Sequence, residues 1–246
     1  MAAAIMMIVL LRNSERKVHI TKGMDLRPDW SYIKNIMKIG IPNGVENSMF
    51  QLGKLILLSM ISGFGTISIA ANAVANSISM IAVLPGLAMS YGIVSVISVC
   101  IGAGDYEQVR FYTKKLMKWV YAAMFAMNAI IVISTPLIIK VYSLSAETGK
   151  LATELIFFHS ACAVVIWSAS FVVPYVLRAA GDATFTMIVG VASMWAFRIV
   201  FGIILAKYLG MGVMGVWIAM VVDWIVRSIC FIIRYCSGRW KRGTIS

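Results

Sequence analysis

Charge is scarce in this chain, and acid is scarcest. Asp, Glu, Lys and Arg make up only 13% of 246 residues, with 10 acidic against 22 basic. That fraction, with a mean hydropathy of +0.88, excludes a disordered chain and an ordinary soluble domain. Metal-binding residue types are few, at two His and four Cys. Cys100, Cys162, Cys230 and Cys236 lie in or at the ends of apolar segments, none at zinc or C-x-x-C spacing. They read as small buried apolar residues. His19 falls in a polar loop. His159 falls early in an apolar run, with no acidic neighbour nearer than Glu154, and an intramembrane His is a functional candidate. No nucleophile–base constellation, metal-ligand cluster or Gly-rich phosphate loop after a strand occurs. Gly102-Ala103-Gly104-Asp105 follows an apolar helix and reads as a turn. An enzyme, a bound metal and a cofactor are therefore not expected. The net charge of +12 would suggest nucleic acid in a soluble protein. Here its placement points to membrane topology and to no nucleic-acid partner.

Long apolar runs dominate instead. The expected fold is all-α, a polytopic transmembrane bundle of six full spans. These fall at about 39–62, 67–101, 113–142, 151–178, 184–208 and 212–234. Residues Met1 to Leu11 rise only about 16 Å, short of the roughly 30 Å of a bilayer core. No positive segment precedes them and no small-residue cleavage site follows, so 1–11 reads as the end of a preceding transmembrane helix. Residues 12–38 read as a cytoplasmic basic linker running into an amphipathic interfacial helix, with Trp30, Ile33, Ile36 and Met37 on its apolar face. The lobe proper is 39–236, followed by a basic cytoplasmic tail at 237–246. Pro42, Pro85 and Pro174 are expected helix kinks. Ala71, Ala75 and Ser79 repeat every four residues as a small-residue packing face.

Loop charge sets the orientation. Arg12, Arg16, Lys17, Lys22, Arg27, Lys34 and Lys38 fall in the linker. Arg110, Lys114, Lys115 and Lys118 fall in the 102–118 loop region, Arg178 beside the 179–183 turn, and Arg227, Arg234, Arg239, Lys241 and Arg242 in the tail region. Alternating spans place all of these on one side, against Lys140, Lys150 and Lys207 on the other. The richer side, and the C-terminus with it, is expected to be cytoplasmic.

The stretch GIPNGVENSMFQLGKLILL, Gly40 to Leu58, is the most polar of the long segments. On a helix, Asn43, Asn47, Gln51 and Lys54 line one face, and Glu46 lies beside it. A Lys or Glu at the bilayer centre costs about 3 kcal/mol on insertion scales, so this face is expected to meet other helices or a water-filled cavity. Glu46 and Lys54 stand about 12 Å apart along the helix and about 80° apart around it, so each needs a partner elsewhere. Asn72 and Asn76 of the second span can share the polar interior. The candidate cavity residues are Glu46, Asn47, Gln51, Lys54, Asn72 and Asn76; hydrogen-bonded glue between helices is the plainer role for the amides. Arg198 and Asp223 flank the turn near Gly210 and fall at nearly one depth in a hairpin. Asp223 also has Arg227 four residues on. Arg198, Asp223 and Arg227 are expected to form a structural intramembrane ion pair.

Three stretches together resemble the multidrug and toxic compound extrusion (MATE) family. They are IMKIGIPNGVENSMFQLGKLI with GFGTISIAANAVANSI, then LPGLAMSYGIVSVISVCIGAGDYEQVRFYTKK, then VLRAAGDATF with GVMGVWIAMVVDWIVRSICFIIRYCSGRWK. The resemblance covers about residues 30–242 and implies a C-terminal six-span lobe of a twelve-span, two-lobed transporter. It implies export of organic cations or drugs by alternating access, in exchange for Na⁺ or H⁺. The implied partners are membrane lipid, a small organic cation and the missing N-terminal lobe; the implied location is a bacterial plasma membrane. Some members carry acidic cation ligands in the first and fourth spans of this lobe. The matching places here hold Phe50, with Glu46 one turn earlier, and Trp167, so no Na⁺ site carries over. Two alternatives are half of a lipid-linked oligosaccharide or polysaccharide flippase, and a non-transporting membrane assembly subunit.

Overall fold

A computed structural model describes residues 29–243, without the side chains of Tyr32, Arg242 and Gly243. The expected preceding helix at 1–11, most of the 12–38 linker with His19, and the tail beyond 243 lie outside the described residues. The chain divides into two compact units, Met1–Lys38 and Ile39–Ser246. The described part of the first is the short opening of helix α1; the second holds the rest of the fold.

Six long helices make up the described fold, with no strand among the described residues. They are α1 (Trp30–Ser62), α2 (Thr66–Gly102), α3 (Tyr106–Val141), α4 (Ala146–Ala179), α5 (Ala183–Tyr208) and α6 (Gly212–Cys236). Helices α2 to α6 are each long and apolar enough to cross a membrane. Even the shortest, at 25 residues, rises about 37 Å. Helix α1 has the length, at 33 residues, but the stripe from Asn43 to Lys54 keeps it out of that apolar class. Five of the six expected spans are therefore present by length and composition.

Helix α3 begins at Tyr106, seven residues before the expected start. Asp105 caps it, its carboxylate accepting the Gln108 N–H at 2.9 Å, which satisfies one of the orphan donors of a helix start. Arg110, Lys114, Lys115 and Lys118 thus lie on the helix and not in a loop. Gly104, at φ +72°, turns the chain in a region closed to most side chains. The tail begins as a 3₁₀ turn, Arg239–Gly243. Trp240 there is fully buried, stacked on Tyr235 and edge-on to Tyr106.

The prolines act unequally. Helices α1 and α2 run unbroken through Pro42 and Pro85, whereas α4 breaks at Val172, just before Pro174. Helix α4 also carries a π-helical turn at Ala163–Trp167, and α5 carries two, at Met194–Val200 and Ile204–Tyr208. Such turns recur at functional sites.

Helix α2 packs on α3 and α4, and α6 packs on α4 and α5. Ala71 and Ala75 of the small-residue face are fully buried. One methyl group on Gly86 would collide with the Trp167 ring, so glycine there lets α2 and α4 close up. Helix α1 meets α5 through side chains that reach over glycines. Gly53 faces Met194 and Ile199, Gly190 faces Glu46, and Gly202 faces Leu57.

Candidate functional site

Helix α1 has three faces. At about 100° per residue, Glu46, Gly53, Leu57 and Ile61 share one, and Glu46, Leu57 and Ile61 are buried. Val45, Leu52 and Ile56 share a second, which is apolar and exposed. Asn47, Gln51 and Lys54 share the third, which is polar and exposed. Along that third face the helix borders two cavities that meet at Lys54.

The first cavity, of about 280 Å³, lies between α1, α2, α5 and α6. Lys54, Leu57, Leu58 and Ile61 line it from α1, Asn72, Asn76 and Met80 from α2, Arg198 from α5, and Val216, Trp217 and Met220 from α6. Asn72 is buried, and its Oδ1 accepts the Trp217 indole N–H at 3.1 Å and the Asn76 amide at 3.0 Å. Asn72 thus ties α2 to α6 while forming part of the wall. Arg198 Nη1 stands 4.0 Å from Asp223 Oδ2. Asp223 is fully buried and receives the Ser193 hydroxyl on Oδ1.

The second cavity, of about 250 Å³, is lined by Glu46, Asn47, Phe50, Gln51 and Lys54 of α1. Leu87 of α2, Phe171, Pro174, Tyr175 and Arg178 of α4, and Arg227 of α6 complete it. Glu46 is 4% exposed and holds two arginines. Arg178 Nη2 lies 2.6 Å from Oε2, and Arg227 Nη2 lies 3.6 Å from Oε1. Phe171 and Phe50 cover Arg227, with the guanidinium carbon 4.7 and 4.8 Å from their ring centres. Cation–π attraction is strongest where water is excluded, as it is around this 1% exposed residue.

The polar residues therefore play different parts. Asn47, Gln51 and Lys54 are exposed, while Glu46 and Asn72 are buried in cross-helix contacts. Arg227 makes its ion pair with Glu46 of α1 and not with Asp223, because α1 brings a carboxylate to within reach of its buried guanidinium. Arg178, read from sequence as a loop charge, turns inward to the same carboxylate. The two residues are 132 positions apart, and no spacing in a single sequence signals that. The turn beyond it is clamped: Arg234 donates to both Asp182 oxygens, at 2.7 and 3.2 Å. His159 is buried between the rings of Trp217 and Trp224, a packing position. Among the described residues no three His, Cys, Asp or Glu side chains gather as a metal site.

The family MatE matches residues 42–204, a run that covers α2 to α4 whole and most of α1 and α5. The chain belongs to the MatE family. Similar curated proteins include a probable multidrug resistance protein NorM of Thermotoga maritima, 24% identical over 253 residues, which span 99% of this chain and 52% of the relative. An uncharacterized transporter, YisQ of Bacillus subtilis, is 24% identical over 96% of this chain and 51% of its own length. A crystal structure of MATE in the bent conformation superposes with a TM-score of 0.82 at 19% identity, over 97% of this chain and 53% of that one. That likeness shows the fold. This MatE chain spans about half the length of the curated relatives it matches. It is a multi-pass membrane protein of a transporter family and not an enzyme.

Proposed function

We propose that this chain is one lobe, the C-terminal one, of a multidrug efflux antiporter. The complete transporter exports small amphiphilic organic compounds, organic cations among them, by alternating access in exchange for Na⁺ or H⁺. The observation that carries the reading is the polar exposed face of α1. Asn47, Gln51 and Lys54 border two cavities, while the apolar exposed face of the same helix suits lipid. A helix with both faces belongs at the rim of a water-filled cavity in a membrane. It supports α1 as the sixth span despite its polarity. In this reading a second lobe faces Asn47, Gln51 and Lys54, and substrate binding there shifts the balance of inward- and outward-open states. The basic residues at the α2–α3 turn, at Arg178 and around Arg234 set that side, with the C-terminus, in the cytoplasm.

The test is ethidium efflux from cells expressing the full-length transporter that contains this lobe, under an imposed Na⁺ or proton gradient. Gradient-dependent efflux is the expected result. No efflux under either gradient, with the protein in the membrane, would refute the proposal.

A further inference from the structure

The cavity between α1, α2, α5 and α6 is basic, and no carboxylate lines it. Lys54 and Arg198 are its charged lining residues. The acid nearest Arg198, Asp223, is fully buried and is not part of the lining; its Oδ1 receives the Ser193 hydroxyl, and its Oδ2, without a hydrogen-bond partner, is the oxygen towards Arg198. Its pairing with Arg198 is loose at 4.0 Å, and Arg198 Nε has no hydrogen-bond partner. Among the described residues, Lys54 makes no ion pair.

Of the two amides in the wall, Asn72 has its carbonyl oxygen occupied by Trp217 and Asn76, and Asn76 spends its amide nitrogen on Asn72 while its own carbonyl oxygen remains as an acceptor. The remaining wall is apolar and includes Met220 and the Trp217 ring. A site with cationic donors, an occupied acceptor and an apolar wall is complementary to an apolar body with an anionic head. Asp223 stands at ion-pair distance from Arg198, while among the described residues no acid pairs with Lys54, so the cavity keeps an excess positive charge that an incoming anion relieves. Guanidinium supplies paired donors to two oxygens, and ammonium supplies a point charge.

We propose that this cavity binds the acidic group of an amphiphile, a carboxylate or a phosphate. Lys54 and Arg198 hold its oxygens, and Trp217 and Met220 pack against its apolar part. The inference rests on the reading of this face as a substrate cavity and narrows the substrate class. Compounds carrying an acid, zwitterions included, are favoured here over simple cations. The same chemistry is offered by a soluble organic acid and by an anionic lipid headgroup.

The experiment is equilibrium binding to the full chain in phosphatidylcholine nanodiscs, with two shape-matched probes, 2-naphthylacetate and 2-naphthylethylammonium. The acid should bind roughly tenfold tighter than the amine, a difference of about 1.4 kcal/mol. Lys54→Gln should lose most of that preference, and Lys54→Arg should keep it. Repeating the titration with phosphatidylglycerol in the discs separates the sources. At high salt, which screens the surface charge of the disc, a several-fold loss of naphthylacetate affinity assigns the site to a headgroup, and no loss assigns it to a soluble acid. Two results would overturn the proposal. One is an amine that binds as tightly as the acid. The other is unchanged acid binding in a Lys54→Gln protein with the parent's helical circular dichroism. Because binding is read on the lobe itself, failed efflux by the complete transporter with intact naphthylacetate binding would reject the efflux reading alone.

Discussion

Replacing Glu46 with Gln removes one charge and almost no volume. In the parent, its two oxygens face Arg178 at 2.6 Å and Arg227 at 3.6 Å. Arg178 can swing towards water, since its side chain keeps 17% of its exposure. Arg227 cannot: it is 1% exposed, under Phe50 and Phe171, and its Nε and Nη1 already lack partners. Removing one partner of a buried ion pair costs about 3–5 kcal/mol, because the other charge stays buried. At about 2–4 °C per kcal/mol for a chain of this size, the melting temperature should fall by roughly 6–20 °C. The assay is thermal loss of the monodisperse peak on size-exclusion chromatography in detergent. Glu46→Met combined with Arg227→Met removes both buried charges and should recover most of the loss. A Glu46→Gln protein melting with the parent would refute the view that Glu46 is the anchor of α1.

Close packing around glycine makes further outcomes checkable. Gly190→Ala sets a methyl carbon 2.7 Å from Glu46 Oε1; it should loosen the same anchor and lower the melting temperature by several degrees. Gly86→Ala collides with the Trp167 ring and should cost about 1–3 kcal/mol, read by the same melting assay. Trp217→Phe deletes the indole donor to Asn72 and should destabilise by about 1–3 kcal/mol, with the loss absent in an Asn72→Ala background. Arg234→Lys cannot reproduce the two-pronged contact with Asp182. It should speed proteolysis at the 179–183 turn, as seen by time-resolved gel analysis.

Much of the fold was legible as apolar runs, because the polar residues of five spans are few and scattered among apolar ones. The start of α3 was not, since the turn from Tyr106 to Tyr112 is charged. Its signal was nonetheless present: Asp105 followed by Gln108 has the spacing of a helix-capping pattern. Depth arithmetic around Gly210 brings Arg198 and Asp223 to one level, and the structure has them 4.0 Å apart. Periodicity was enough to put Asn47, Gln51 and Lys54 on one face, because that requires only one helix. The partners of Glu46 required three helices to be assembled. Arg178 comes from the end of α4 and Arg227 from the middle of α6, and hydropathy does not encode which faces of those helices meet.

In the proposed transporter the polar face of α1 borders water inside a membrane while its apolar exposed face borders lipid. Single cysteines at Asn47, Gln51, Val45, Leu52 and Ile56, in a chain whose Cys100, Cys162, Cys230 and Cys236 are replaced by Ala or Ser, report this directly. All five positions are exposed in the lobe, so burial does not separate them. In membranes, a charged, hydrophilic maleimide should label Asn47→Cys and Gln51→Cys quickly and Val45→Cys, Leu52→Cys and Ile56→Cys slowly or not at all. Equal labelling of both faces would place α1 outside the bilayer, and labelling of neither would make the polar stripe helix-to-helix glue. Either result would remove α1 from the wall of a membrane cavity.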